Sequence, residues 1–418
     1  MATGNFLVIV ADDISQREFA AYADAWGADE SIPTPHIDEL ARTGLTFRYM
    51  HANPVCSSTR ATLMTGQYGF RTGIGKGVKE GDRYDLPKGI TTLPGILRAA
   101  GYRCGAIGKW HLSSSGVNAP REHGFHDYVA GSLHGGVDSY TDWDRIDNGV
   151  ETREQRYATQ AQAHAAASWI EAQGDRPWFA YLAFNTPHKP FHWPPQQALP
   201  KSYRERGAAP RAGEAQDRAQ FVAAIVAMDH AIGQLLERVD LETTTVVFLA
   251  DNGTPTEAAH PDQDPAKLKA TLFREGVEIP FFVAGRGVES RGGECAALAN
   301  TTDLVATLVE LAGAELPPEV RDSVSLVPYL QTHDRPSLRP WVYFERFYNN
   351  ERPRVPDLAR CCIREPRYKY MTERGVESLY DLEADPGELT NLLEGEPADA
   401  ATRTRARLRA IMDELHAS

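Results

Sequence analysis

The chain has 418 residues, 42% of them hydrophobic and 24% charged, so it can bury a large core. Its 57 acidic and 44 basic residues leave a net charge of −13, which argues against nucleic acid or an anionic membrane surface as a main partner. The same charge disfavours long polyanions unless basic residues gather locally. No apolar run approaches the roughly 20 residues that span a bilayer, and residues 1–10 lack the basic segment and cleavage site of a signal peptide. As written, the chain reads as cytoplasmic; with a leader removed it would read as periplasmic or secreted. The five cysteines, Cys56, Cys104, Cys295, Cys361 and Cys362, are odd in number and form no CxxC pair. They predict neither a disulfide framework nor a cysteine zinc site, and one of them is expected to matter as chemistry.

In chain order, residues 6–10 predict a fully buried strand. Residues 92–100 predict a helix stopped by Gly101, and 102–107 the next strand. Residues 155–171 are Ala-rich and helical, and 178–184 form a strand. The Arg-, Ala- and Gly-rich stretch 201–216 predicts an exposed loop. A long helix follows over 217–239, with Phe221, Ile225, Met228, Ile232, Leu235 and Leu236 at helical spacing. Strands over 245–250 and 279–284 precede a helix over 302–312, ended by Gly313. Continuous apolar strands separated by helices imply an α/β fold: a large, mostly parallel sheet sandwiched by helices. Beyond Arg335 the pattern changes. Short runs at 341–344, 361–363, 368–371 and 378–380, broken by turn residues, predict an antiparallel sheet. The tail over 398–416 puts Leu408, Ile411, Met412 and Leu415 on one helical face. The expected organisation is a catalytic α/β domain over 1–335 and a small α+β subdomain over 336–418.

Ligands of open α/β sheets bind beyond the carboxyl ends of the strands. Asp12 and Asp13 follow the first strand. Lys109 and His111 follow the strand ending at 107. Asn185, His188 and Lys189 follow the one ending at 184, and Asp251 and Asn252 the one ending at 250. Singly, each has an ordinary reading as a cap, a turn or a loop residue. Together, three carboxylates and an amide oxygen suit Ca²⁺ or Mg²⁺ rather than Zn²⁺. Cys56-Ser-Ser-Thr-Arg60 opens a helix, where the positive dipole end and Arg60 would activate a nucleophile. The competing reading of Cys56 is a buried, inert thiol.

These residues resemble the sulfatase family of the alkaline-phosphatase-like superfamily. Cys56-Ser-Ser-Thr-Arg60-Ala-Thr-Leu-Met-Thr65-Gly66 is similar to its signature. Val10-Ala-Asp12-Asp13, Gly108-Lys109-Trp-His111-Leu, Thr186-Pro-His188-Lys-Pro190, Ala250-Asp251-Asn252-Gly253, Lys269-Ala-Thr-Leu-Phe and Leu379-Tyr-Asp-Leu-Glu-Ala-Asp-Pro386 follow the family order. The resemblance implies an enzyme that hydrolyses a sulfate ester to an alcohol and sulfate. It implies a nucleophilic formylglycine made from Cys56 by a dedicated maturase. It implies one divalent cation, Ca²⁺ before Mg²⁺ or Mn²⁺, held by Asp12, Asp13, Asp251 and Asn252, with residue 56 completing the shell. Arg60 and Lys109 would stabilise the hydrated aldehyde and His111 would help regenerate it. His188 and Lys269 would hold the sulfate and assist the leaving oxygen. The cation and three basic side chains would offset three Asp, so the pocket accepts an anion despite the −13.

Two positions depart from the family pattern. Ser58 stands where Pro is usual, which bears on conversion of Cys56, and Arg274 stands where Glu is usual. The expected substrate is a small or short sulfated molecule, a carbohydrate or aryl sulfate, contacted by loops at 71–84, 134–143 and 191–193. Trp143, His192 and Trp193 are candidates to stack on a ring or simply to pack. A phosphodiesterase or phosphonate monoester hydrolase of the same fold, and a non-catalytic binding protein with unmodified Cys56, are the alternatives.

Overall fold

A computed structural model of the chain describes residues 4–28, 31–206, 214–350 and 359–418. Ten strands build one sheet: β1 (Asn5–Ala11), β2 (Leu45–His51), β3 (Arg103–Lys109), β4 (Asp127–Ser132), β5 (Trp143–Asp147), β6 (Val150–Glu154), β7 (Trp178–Ala183), β8 (Thr244–Ala250), β9 (Phe281–Gly285) and β10 (Gly293–Asn300). Their order is β10-β2-β9-β8-β1-β7-β3-β4-β5-β6. The four central strands, β8, β1, β7 and β3, run parallel. Their residues are almost all buried, as expected where helices cover both faces of a sheet. The predicted strand over 279–284 exists as β9 but runs antiparallel to both β8 and β2.

The Ala-rich helix Ala158–Glu171 and the long helix Gln216–Leu236 pack on each other and on the core. The latter is long and apolar enough by composition to cross a bilayer, contrary to the reading of the sequence alone. Its most apolar window is 78% buried inside the protein, so it is a core helix. The stretch expected as a loop over 201–216 begins instead with a helix, Lys201–Arg206; residues 207–213 lie outside the described residues. Gly108, with φ 84°, lets β3 press against β7, since a Cβ there would lie 2.1 Å from the Ala183 carbonyl oxygen.

The second sheet has the order β11 (Val342–Phe347), β12 (Ala359–Arg364), β13 (Tyr368–Glu373) and β14 (Val376–Asp381), all antiparallel. The two-residue period of a strand gives this sheet two apolar faces. Tyr343, Cys361, Ile363 and Tyr370 meet Leu408 and Met412 of the terminal helix Asp399–Ala417. Phe344, Cys362 and Met371 face Leu272, Val277 and Leu298 of the larger layer. Adjacent Cys361 and Cys362 thus serve opposite faces. All five cysteines are free and buried.

Arg339, just before β11, is a buried tie between the two layers. Its Nε donates to Asp303 Oδ2 at 2.8 Å, and Asp303 opens the helix Asp303–Leu311. Removing one member of a buried pair strands the other charge. Arg339→Ala is expected to lower unfolding stability by about 3–5 kcal/mol in a urea titration. A change within about 0.5 kcal/mol, the scale of an ordinary surface substitution, would show that the pair contributes nothing net.

Candidate active site

Because β8, β1, β7 and β3 are parallel neighbours, the residues after them meet at one edge of the sheet. Asp12 and Asp13 leave β1, Lys109 ends β3, His188 follows β7, and Asp251 and Asn252 leave β8. Asp13 and His111 both adopt left-handed backbone, with φ 74° and 59°. Such conformations in non-glycine residues are uncommon and gather at functional sites.

The helix Cys56–Thr65 enters this edge with every residue buried. Its approach is fastened from several sides. Thr59 Oγ1 accepts from the Asn53 backbone N–H and donates to the Asn53 carbonyl, both at 3.1 Å. Ser57 Oγ donates to the His111 carbonyl at 2.7 Å and accepts from the Val78 N–H at 2.9 Å. Cys56 Sγ then lies 3.4 Å from Asp12 Oδ1 and 3.6 Å from Asp13 Oδ1. Asp12, Asp13, Cys56 and Asp251 each bring a ligand atom within 4.8 Å of the others.

Three cations answer the three carboxylates. Arg60 donates from Nε and Nη2 to Asp251 Oδ2 at 3.0 and 2.7 Å, and from Nη1 to the Lys109 carbonyl at 3.1 Å. Lys109 Nζ reaches Asp12 Oδ2 at 2.5 Å, and Lys269 Nζ reaches Asp13 Oδ2 at 2.5 Å. His188 Nε2 lies 3.8 Å from Asp13 Oδ2. Its ring is set by Nδ1, 2.8 Å from the Lys189 carbonyl, and its own carbonyl accepts from Tyr140 Oη at 2.7 Å.

The protonation states follow from this crowding. Burial, reinforced by the Asp251 carboxylate, pushes the Asp12 carboxyl up to about 8 despite Lys109. Burial also acts against Asp13, but Lys269 and His188 outweigh it and hold that carboxyl well below the usual range. Asp251 is likewise lowered, because Arg60 and Lys109 outweigh its burial. Burial drives the Cys56 thiol well above its ordinary value, with the Asp251 charge adding to the effect. That thiol is protonated at neutral pH and is no nucleophile as it stands. Burial lowers the imidazole of His188 to about 4, helped by Lys109 and Lys269. Burial and Lys109 lower His111 well below its ordinary value, so both rings are neutral at pH 7.

The donor set fits a hard divalent cation. Asn252 Nδ2 donates to Asp13 Oδ1 at 2.7 Å and to the Gly253 carbonyl at 3.0 Å, while its Oδ1 is buried without a partner among the described residues. A buried amide oxygen needs a donor or a cation, and it stands beside carboxylates of Asp12, Asp13 and Asp251, the oxygen chemistry of Ca²⁺ or Mg²⁺ sites. Gly253 fixes this corner, since a Cβ there would sit 1.8 Å from the Glu275 carbonyl oxygen.

Several loop expectations change. A cleft of about 1000 Å³ opens beside His111 and is lined by Lys79, His134, Arg153 and Lys189. The loops at 71–84 and 134–143 do contribute to it. Trp143 does not, since it is buried with its indole donating to the Arg156 carbonyl at 3.1 Å. His192 stacks on Tyr140 at 4.1 Å, a packing role. Arg274 lies over the Trp26 ring at 3.7 Å and pairs with Glu278 at 3.4 Å, so this departure is absorbed by the scaffold. Ser58 donates to the Val55 carbonyl at 2.9 Å, and the first backbone bond to Val55 is from Thr59 N, at 3.3 Å. Pro at position 58 would therefore cost the helix the Ser58 side-chain bond but no backbone hydrogen bond.

Fold and site define a hydrolase of anionic esters, with a nucleophile position set between a carboxylate cluster and three cations. Comparison with known proteins gives the family. The sulfatase family model matches residues 4–314, and a model of the C-terminal part of N-sulphoglucosamine sulphohydrolase matches 268–417. The chain belongs to the sulfatase family, enzymes that hydrolyse sulfate esters and generally use formylglycine and a metal ion. It is 29% identical to arylsulfatase A of Homo sapiens, over 94% of this chain and 83% of that protein. It is 28% identical to an ulvan-active sulfatase of Formosa agariphila, over 94% of this chain and 77% of that one. Among solved structures, that of Ps i-CgsB superposes with a TM-score of 0.83 at 23% identity, covering 99% of this chain and 93% of that one.

Cation binding should ionise Asp12, because a bound divalent charge reverses the effect of its neighbours. With that carboxyl at about 8 before binding, Ca²⁺ titration at pH 7 is expected to release about one proton, and progressively fewer above pH 8. Calorimetry in buffers of different ionisation enthalpy measures this. Asp251→Ala is expected to abolish cation retention; retained binding would contradict the assignment.

Proposed function

We propose that the protein is a formylglycine-dependent sulfatase acting on a sulfated saccharide of modest size. The observation that carries this reading is the placement of residue 56 at a helix N-terminus, against Asp12 and Asp13 and within the field of Lys109 and Lys269. A thiol held protonated there has no catalytic use. Its conversion to formylglycine, an oxidation performed by a maturase with its own oxidant, would give the hydrate: an oxygen nucleophile with a second hydroxyl on the same carbon. A cation held by Asp12, Asp13, Asp251 and Asn252, Ca²⁺ before Mg²⁺ or Mn²⁺, would polarise a sulfate oxygen and acidify that hydroxyl.

The chain's own groups do the rest. Lys269, kept protonated by Asp13, supplies a fixed positive charge to the incoming sulfate. His188 is neutral in the resting site, and a bound sulfate raises its proton affinity by placing a negative charge beside it. It is then suited to protonate the departing alcohol oxygen. Arg60 and Lys109 hold the carboxylates in place and stabilise negative charge on the nucleophile's oxygen. Neutral His111, whose Nδ1 is buried without a partner among the described residues, is suited to accept the proton of the second hydroxyl as sulfate leaves.

The saccharide assignment draws on relatives. One is an N-acetylgalactosamine-6-sulfatase of Canis lupus familiaris, 28% identical over 79% of this chain and 67% of that protein. Structural neighbours include complexes with k-i-k-neocarrahexaose and with D-glucosamine-2-N,6-O-disulfate. The open cleft beside His111 suits a short saccharide.

Paired assays on an aryl sulfate and the matching phosphonate monoester test the reaction class. The expected outcome is faster sulfate release; a clear phosphonate preference would overturn the proposal. Lys269→Ala is expected to lower kcat/KM for the sulfate by at least ~100-fold, about 2.7 kcal/mol of transition-state stabilisation.

A further inference from the structure

The second sheet carries charge where its inner face runs out. That face follows the alternation Val342, Phe344, Arg346 along β11 and Cys362, Arg360 along β12. Arg346 and Arg360 are direct cross-strand partners, and Arg360 is in turn opposite Glu373 of β13. Like charges directly opposite destabilise a sheet, yet here two guanidinium groups converge on one backbone carbonyl. Arg346 Nη1 donates to the Ala270 oxygen at 2.7 Å, and Arg360 Nη1 donates to the same oxygen at 3.1 Å.

That carbonyl belongs to the reaction centre's own loop. Ala270 follows Lys269, whose Nζ contacts Asp13, and the Ala270 N–H donates to the Pro54 carbonyl at 2.9 Å, two residues before Cys56. β11 is fixed to the same approach loop, with Glu345 N donating to Asn53 Oδ1 at 2.9 Å. The arginine pair is therefore held beside the nucleophile's entry by backbone on both sides.

Among the described residues the pair is under-compensated. Glu373 Oε1 meets Arg360 Nη2 at 2.5 Å and is 47% exposed. It is the one carboxylate that the salt bridges among the described residues give to either arginine. Among the described residues, Arg360 Nε is buried without a hydrogen-bond partner, as is the hydroxyl of neighbouring Tyr348. Burial, with repulsion from Arg360, lowers the Arg346 guanidinium below its ordinary value. A third cation, Arg374, lies over the Tyr348 ring at 4.7 Å. Two arginines, a single carboxylate paired with Arg360, and donors left unsatisfied among the described residues make a receptor for an oxyanion, since guanidinium groups match carboxylate and sulfate geometry.

We propose that Arg346 and Arg360 form a subsite for a second anionic group of the substrate, a carboxylate or a further sulfate, carried beside the sulfate that is cleaved. The inference rests on the proposed sulfatase reaction and narrows its substrate to a saccharide bearing at least two anions. It also explains how a protein of charge −13 selects such a molecule.

Binding to the full-length, Ca²⁺-loaded protein with an unconverted Cys56 thiol tests the subsite without requiring turnover. Two probe pairs are titrated by calorimetry. One is glucosamine 2-N,6-O-disulfate against glucosamine 6-O-sulfate. The other is a monosulfated uronate-containing disaccharide against its carboxyl-reduced form. The wild type is expected to prefer the dianionic member of at least one pair by about 10-fold, the free energy of one charge-assisted contact, and the preferred pair identifies the anion. Arg346→Met and Arg360→Met are each expected to collapse that ratio toward one, and Arg346→Lys to restore part of it. Glu373→Gln is expected to raise it, which loss of structure would not do. No preference in either pair, or a ratio unmoved by Arg346→Met and Glu373→Gln, would overturn the subsite. Failure of the converted enzyme to release sulfate, with the ratios as expected, would instead overturn the reaction.

Discussion

Three carboxyl groups, Asp12, Asp13 and Asp251, are buried within a few ångströms of one another; their mutual repulsion, which adds to burial in keeping Asp12 protonated at neutral pH, constrains the rest of the structure. Burying like charges is tolerable only with nearby positive charge. Arg60, Lys109 and Lys269 supply it, one from the nucleophile helix, one from β3 and one from the loop before β9. Each cation offsets a buried carboxylate, and the Asn252 oxygen, unpartnered among the described residues, is left as a ligand for a divalent ion. Burial in this cluster, with the Asp251 charge, holds the Cys56 thiol protonated; the proposed oxygen nucleophile would instead draw on the neighbouring cations.

Much of this was legible in the sequence because a parallel sheet converts order along the chain into proximity. Buried apolar runs identified β1, β3, β7 and β8, and the polar residues after each had to share an edge. Asp13 and Lys269 are 256 residues apart, yet both were identifiable, the first by strand position and the second by family resemblance. Other elements lacked a readable signal. β5 and β6, WDRID and VETRE, are held by cross-strand pairs such as Arg153 with Asp144 at 2.8 Å, so they show little apolar alternation. β10, GECAALAN, is rich in Ala and carries little strand propensity. The direction of β9 was not readable at all, because a buried strand looks the same either way round. Trp143 and His192 illustrate a different limit: an aromatic in a loop sequence does not disclose whether it faces solvent or core.

The two layers divide the work between them. The larger sheet assembles the carboxylates and cations around residue 56. The smaller one covers the Lys269 loop with an apolar face that ends in Arg346 and Arg360. Their meaning depends on strand register and on one shared carbonyl, neither of which the sequence displays. The chain's net acidity and its basic pocket are thus compatible: bulk charge disfavours long polyanions, and in the proposed function local arginines and lysines select the anion.

The central claim is that residue 56 is not a cysteine in the working enzyme. Mass spectrometry of the peptide carrying position 56, from protein that turns over sulfate ester, tests it directly. The account predicts a residue about 18 Da lighter than cysteine, in a fraction of molecules that tracks specific activity. An intact thiol throughout a fully active preparation would contradict it.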